Sequence, residues 1–240
     1  MNIYSILAQV QPGSMPDLSG TTEGAAAAMP VAPESLSLLD LAMKGGPIMI
    51  VLLLLSILAI YLFIERYLVI RKAARTNHTF MNQIRDYMKE GKISSALSLC
   101  EAEGTPGARM IQKGIQRLGR PMQDLSVAVE NVGNIEIAKL EKGLPLLATV
   151  AAGAPMIGFL GTVTGMIHAF FDMASAGNNV NISLLSSGIY EALVTTVGGL
   201  IVGIICLFAY NHLVYRIDHV VTKSETQALE FMDMLNEPIK

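Results

Sequence analysis

The chain has 240 residues, 52% of them hydrophobic and only 15% charged, with a net charge of −3. Soluble domains carry about 25% charged residues, so this composition belongs to a membrane protein. The mild negative balance gives no reason to expect nucleic acid as a partner.

Residues 1–36 read as a flexible tail. The opening MNIYSILAQV has no basic stretch and only a short apolar run. A signal peptide needs both a basic and a long apolar region, so the segment is expected to be a retained leader or a docking piece. The Pro-, Gly-, Ala- and Ser-rich run that follows cannot bury a core. Residues 37–70 hold a short helix and the first transmembrane helix. Ser37 can cap LLDLAMKGG, which Gly45 and Gly46 end. PIMIVLLLLSILAIYLFI, 47–64, is an uncharged run of 18 residues, long enough to cross a hydrocarbon core of about 30 Å.

Residues 71–142 change character. Apolar side chains recur at helical spacing, as in Ile84, Tyr87 and Met88, or Ala96, Leu97 and Cys100. Gly91, Gly104 to Gly107 and Gly119 to Pro121 interrupt the pattern. Several amphipathic helices are expected. The second transmembrane helix covers 143–173, roughly 45 Å of helix at 1.5 Å per residue, so one end should project beyond the membrane. A short link, 174–183, leads to the third transmembrane helix, 184–215, and an amphipathic C-terminal helix, 216–240.

Orientation follows from the basic residues. Of the 17 Lys and Arg, all but Lys44 lie between Arg66 and Lys142 or after Tyr215. Cytoplasmic segments carry the Lys/Arg excess. The tail and the 174–183 link are therefore expected on the outside of the membrane, and the 71–142 region and the C-terminus in the cytoplasm. The fold class is all-α: a polytopic membrane protein with three transmembrane helices and long cytoplasmic helical extensions.

Between Lys142 and Arg216 the only charged residues are Asp172 and Glu191. An acid at the centre of a spanning helix costs about 2.5–3.5 kcal/mol on insertion scales. Such residues usually face a bundle interior or a water path. Small residues surround Glu191. Ala148, Ala151, Pro155, Gly158, Thr162, Gly165 and Ala169 follow one another at steps of three or four along span two. Gly188, Glu191, Thr195 and Gly199 do the same on span three. Gly161 with Gly165, and Gly199 with Gly203, form GxxxG pairs that allow close helix approach. Thr196 lies about 140° round the helix from Glu191. These faces are expected to look into a shared lumen, where hydroxyls relay hydrogen bonds but only Glu191 titrates. Pro155 leaves the Ala151 carbonyl without its helical donor.

The remaining polar residues point to no cofactor. His168 and Asp172 sit one turn apart, more simply an interface pair than a proton relay. His212 and His219 lack a third ligand at metal spacing, so no metal is expected. There is no phosphate-binding loop and no catalytic grouping, so no enzyme activity and no bound nucleotide are expected. Cys100 and Cys206 fall in unlike segments and are expected to be buried structural thiols.

Two stretches carry a family likeness. EKGLPLLATVAAGAPMIGFLGTVTGMIHAF, 141–170, resembles the second span of the ExbB/TolQ/MotA proton-channel family, most specifically at Ala154-Pro155, Gly158 and Leu160 to Val163. GIYEALVTTVGGLIVGI, 188–204, resembles its third span, and ALSLCEAEGTPGARMIQKG, 96–114, its cytoplasmic helices. The likeness covers roughly residues 40–220. Stators of the MotA type have four spans, so three spans resemble the ExbB/TolQ branch. The resemblance implies a homopentamer among phospholipids, enclosing ExbD-like single-span helices whose Asp carries the proton. It implies lumen roles for Thr162, Thr196 and Glu191, with Thr195 kept second because helical geometry sets it beside Glu191. It implies an inner-membrane motor in a Gram-negative bacterium that uses the proton motive force, with a TonB-like protein relaying force to outer-membrane transport. TolQ-like envelope maintenance, a gliding motor and a passive scaffold are the alternatives. The link 174–183, the Ala/Pro-rich tail and His168 match no fixed pattern of the family.

Overall fold

The computed structural model describes residues 46–75, 77, 79–175 and 182–236, with side chains from 185 onward in the last stretch. The 1–36 tail, the short helix after Ser37 and most of the 174–183 link lie outside the described residues. Those residues form helices α1 (Gly46–Ala73), α2 (Phe80–Lys89), α3 (Ile93–Glu103), α4 (Pro106–Ile115), α5 (Met122–Glu141), α6 (Leu144–Ser175) and α7 (Ile182–Asn236).

α1, α6 and α7 each contain a segment long and apolar enough to cross a membrane. α1 buries a narrow stripe, Leu52, Ala59, Leu62, Arg66 and Ile70, at steps that keep to one side of the helix. Many of its other residues, including Ile50, Leu54, Ile57 and Tyr61, are exposed, as suits a surface facing lipid. Ala59 and Ile70 of the stripe share a core cluster with Leu144, Leu147 and Val150 of α6 and Cys206, Leu213, Ile217 and Val220 of α7.

Glycine sets the breaks between the shorter helices. Gly91, Gly104, Gly119 and Gly143 all have positive φ, a conformation that carries little penalty only without a Cβ. At Gly104 the left-handed cap returns its N–H to the Cys100 carbonyl. Thr105 then opens α4 by accepting from the Ala108 N–H, with Pro106 at the first helical position, where its missing N–H is not needed. α2, α3 and α4 close around the far end of α7. Phe80, Ile84, Cys100 and Ile111 bury against Phe231, which is fully enclosed. Glu136 of α5, also buried, pairs with Arg109 and Lys139, each at 2.6 Å.

α7 is continuous over 55 residues, roughly 80 Å at 1.5 Å per residue. The third apolar segment and the amphipathic C-terminal helix are therefore one rod.

Candidate functional site

The site grows out of the α6–α7 seam. The two helices run antiparallel, and small residues meet along their length. A Cβ on Gly188 would fall 2.6 Å from the Ala169 Cβ, and one on Gly165 would fall 2.9 Å from the Ala192 Cβ. A Cβ on Gly161 would collide with the Thr195 hydroxyl. Gly158 and Gly199 meet backbone to backbone. A Cβ on Gly203 would lie 2.5 Å from Pro155 Cγ and 3.1 Å from the Ala151 carbonyl oxygen, the acceptor that Pro155 leaves without its helical donor. Without a hydrophobic drive between helices in lipid, such close packing is what holds them together. The seam passes through Gly161 rather than Thr162. Both fit helical spacing from Gly158, but only the residue without a side chain fits beneath Thr195.

The hydroxyls divide accordingly. Thr195 is buried at 2% exposure and donates to the Ala192 carbonyl at 2.7 Å, with a longer contact of 3.4 Å to the Gly158 carbonyl. Thr196 donates to that same Gly158 carbonyl at 3.0 Å. The 140° that separates Thr196 from Glu191 thus brings it back against α6 at the carbonyl that Thr195 also approaches. Thr162 donates to the Phe159 carbonyl at 2.6 Å and lines an outward-facing patch with Val163, Met166, Ile167 and Phe170.

Glu191 lies elsewhere. It is half-buried at the edge of the seam and lines a cavity of about 530 Å³ with Thr164, His168, Asp172, Ser187 and Thr195, closed on one side by Pro47 and Ile48 of α1. Its Oε1 occupies the place that a Cβ on Gly46 would take. The carboxylate therefore rests against the start of α1, where backbone N–H groups lack intrahelical acceptors and the helix macrodipole is positive. Gly188, Thr195 and Gly199, which share its helical face, pack on α6 of the same chain. Within one chain Glu191 and Thr195 share a cavity, Thr196 borders the seam, and Thr162 stands apart. Thr164, Ser187 and Gly46 were not anticipated. Gly161, Thr164, Gly165, His168 and Asp172 do fall at i, i+3, i+4, i+7 and i+11, the spacing of one helical face, and that spacing was readable in the sequence.

The chemistry available is proton exchange. Glu191 from α7 and Asp172 and His168 from α6 line the same cavity. The threonine hydroxyls can both accept and donate a hydrogen bond but hold their proton near neutral pH.

Among the described residues, three helices long and apolar enough to cross a membrane and a glycine-lined seam define an integral membrane protein. The sequence model of the MotA/TolQ/ExbB proton channel family matches residues 102–226, more than half of the chain. The chain is 30% identical over 212 residues to putative biopolymer transport protein ExbB-like 1 of Synechocystis, covering 84% of this chain and 82% of that one. It is 30% identical over 201 residues to the Tol-Pal system protein TolQ of Haemophilus influenzae, covering 77% and 87%. To the biopolymer transport protein ExbB of Neisseria meningitidis it is 28% identical over 207 residues, covering 79% and 90%. The chain belongs to the MotA/TolQ/ExbB proton channel family.

Proposed function

We propose that this chain is the channel subunit of a proton-driven motor in the inner membrane, energising TonB-dependent transport across the outer membrane. Five copies surround ExbD-like single-span helices, and the partner carboxylate carries the proton. The N-terminal tail lies in the periplasm, and the basic helices and the far end of α7 lie in the cytoplasm. Glu191, Thr162, Thr196 and Thr195 serve the proton pathway. Pro155, Gly158, Gly161, Gly165, Gly199 and Gly203 set the helix packing that shapes it.

The observation that carries this reading is Glu191, an acid in the apolar stretch of α7 that lines a cavity shared with Thr164, His168, Asp172 and Ser187. Energy-dependent uptake in cells carrying Glu191→Ala tests it. Uptake should be abolished while the protein still assembles. Normal uptake would sink the reading, and loss of assembly alone would not support it.

A second output is favoured by the TolQ relative, which is as similar as the ExbB-like one. The same motor then serves envelope maintenance. Deletion separates the two: loss of uptake supports the first, and loss of envelope integrity with uptake intact supports the second.

A further inference from the structure

We infer that Gly46 is a positioning residue for Glu191: its bare α-carbon makes the seat in which the carboxylate rests. This rests on the proposal that Glu191 serves proton coupling. The residues are 145 positions apart in sequence, yet Gly46 would place a Cβ on the Glu191 Oε1 and within 3.4 Å of Cδ. Two separate demands fall on Gly46. Its φ is +64°, a conformation favoured by glycine, and the space its side chain would fill is taken. The neighbouring wall is rigid: Pro47 fixes its own backbone, and Gly188 and Ala192 pin this part of α7 to α6 at contact distance. The Glu191 side chain is the one flexible partner in the contact. A methyl added at Gly46 therefore moves the carboxylate rather than the helices. In this arrangement the first transmembrane helix contributes its N-terminal end to the site, although its interior has no titratable residue between Gly46 and Tyr61.

The contact is read first by cross-linking in the full-length chain, with Cys100 and Cys206 replaced by Ser. Gly46→Cys combined with Glu191→Cys should be bridged by a short bifunctional thiol reagent, since it is the carboxylate end of Glu191 that meets Gly46 and a cysteine there is too short for a direct disulfide. Gly46→Cys combined with Leu193→Cys, whose position is exposed on another side of α7, should not be. Absence of the first cross-link overturns the inference. Function is read as proton flux in vesicles holding the motor complex purified from its host. Gly46→Ala should lower flux by about fivefold or more, with yield and oligomer size unchanged. In a Glu191→Asp background, where the carboxylate is already drawn back by one methylene, Gly46→Ala should change flux less than twofold. A double-mutant cycle of this kind separates direct contact from general strain. Equal losses in both backgrounds, or wild-type flux in Gly46→Ala, overturn the inference. Wild-type flux in Glu191→Gln instead sinks the proton role of Glu191, while the cross-link still decides the contact.

Discussion

Gly199 and Gly158 face each other across the α6–α7 seam so closely that a Cβ on Gly199 would fall 2.8 Å from the Gly158 Cα. Backbone stands on both sides, so nothing flexible can yield. Gly199→Ala should overpack the seam by about 1–3 kcal/mol and lower the melting temperature in detergent. Gly153→Ala is its counterpart, because a Cβ there meets nothing within 4 Å. It should hold or raise stability by up to about 1 kcal/mol. Equal melting of the two variants would count against the seam as the main contact.

Thr162 separates hydration from packing. Among the described residues its hydroxyl bonds only the carbonyl three residues back in its own helix, and valine keeps the shape. Thr162→Val should change stability by no more than about 0.5 kcal/mol, yet lower proton flux in the assembled complex, though less than Glu191→Ala does. Unchanged flux would remove Thr162 from the pathway.

Phe231 locks the shorter helices to the rod. It is fully buried, and a Cβ on Gly114 would lie 2.6 Å from its ring. Phe231→Ala should destabilise that cluster by about 3–5 kcal/mol. Limited trypsin digestion should then cut faster at Arg85, Lys89 and Lys113, with no change at Arg66 of α1. Unaltered cleavage would show that the cluster holds without Phe231.

Cys100 gives a pH test. Burial pushes its thiol from 9.0 up to about 12, with the nearby Glu101 charge adding to the rise. A folded pKa above the unfolded one means that the native state holds its proton longer. The contribution to stability is therefore complete below pH 9 and is lost as pH rises from about 9 through 12. The thiolate is the reactive form. Iodoacetamide at pH 8 should label Cys100 in the folded protein at least tenfold more slowly than in urea, as read by mass spectrometry. Equal rates would mean that the thiol is open to solvent.

Much of this architecture is legible in the residues. The 47–64 run marks α1 because uncharged length alone distinguishes a spanning helix. Gly91, Gly104 and Gly119 mark breaks because a left-handed residue ends a helix locally, within a few positions of chain. The glycines and alanines of α6 and α7 mark the seam by spacing. Gly143 was less visible: Lys142 and Leu144 continue a helical pattern in sequence, and it is the extended backbone of Lys142, with ψ of 126°, and the φ of 86° at Gly143 that separate α5 from α6. The choice of Gly161 over Thr162 at the seam depends on which way Thr195 points, which periodicity does not contain. The Gly46–Glu191 contact is harder still. It joins the first helix to the third, and no local rule couples positions so distant in sequence.

The unbroken length of α7 has a mechanical consequence. Glu191 and Phe231 sit on one rigid shaft, roughly 60 Å apart at 1.5 Å per residue. A tilt of about 5° pivoting at the carboxylate carries the phenyl ring sideways by about 5 Å, close to one helical turn. The helices clasped around that ring travel with it, so a small angular change at the acid becomes a displacement that a neighbouring protein can feel.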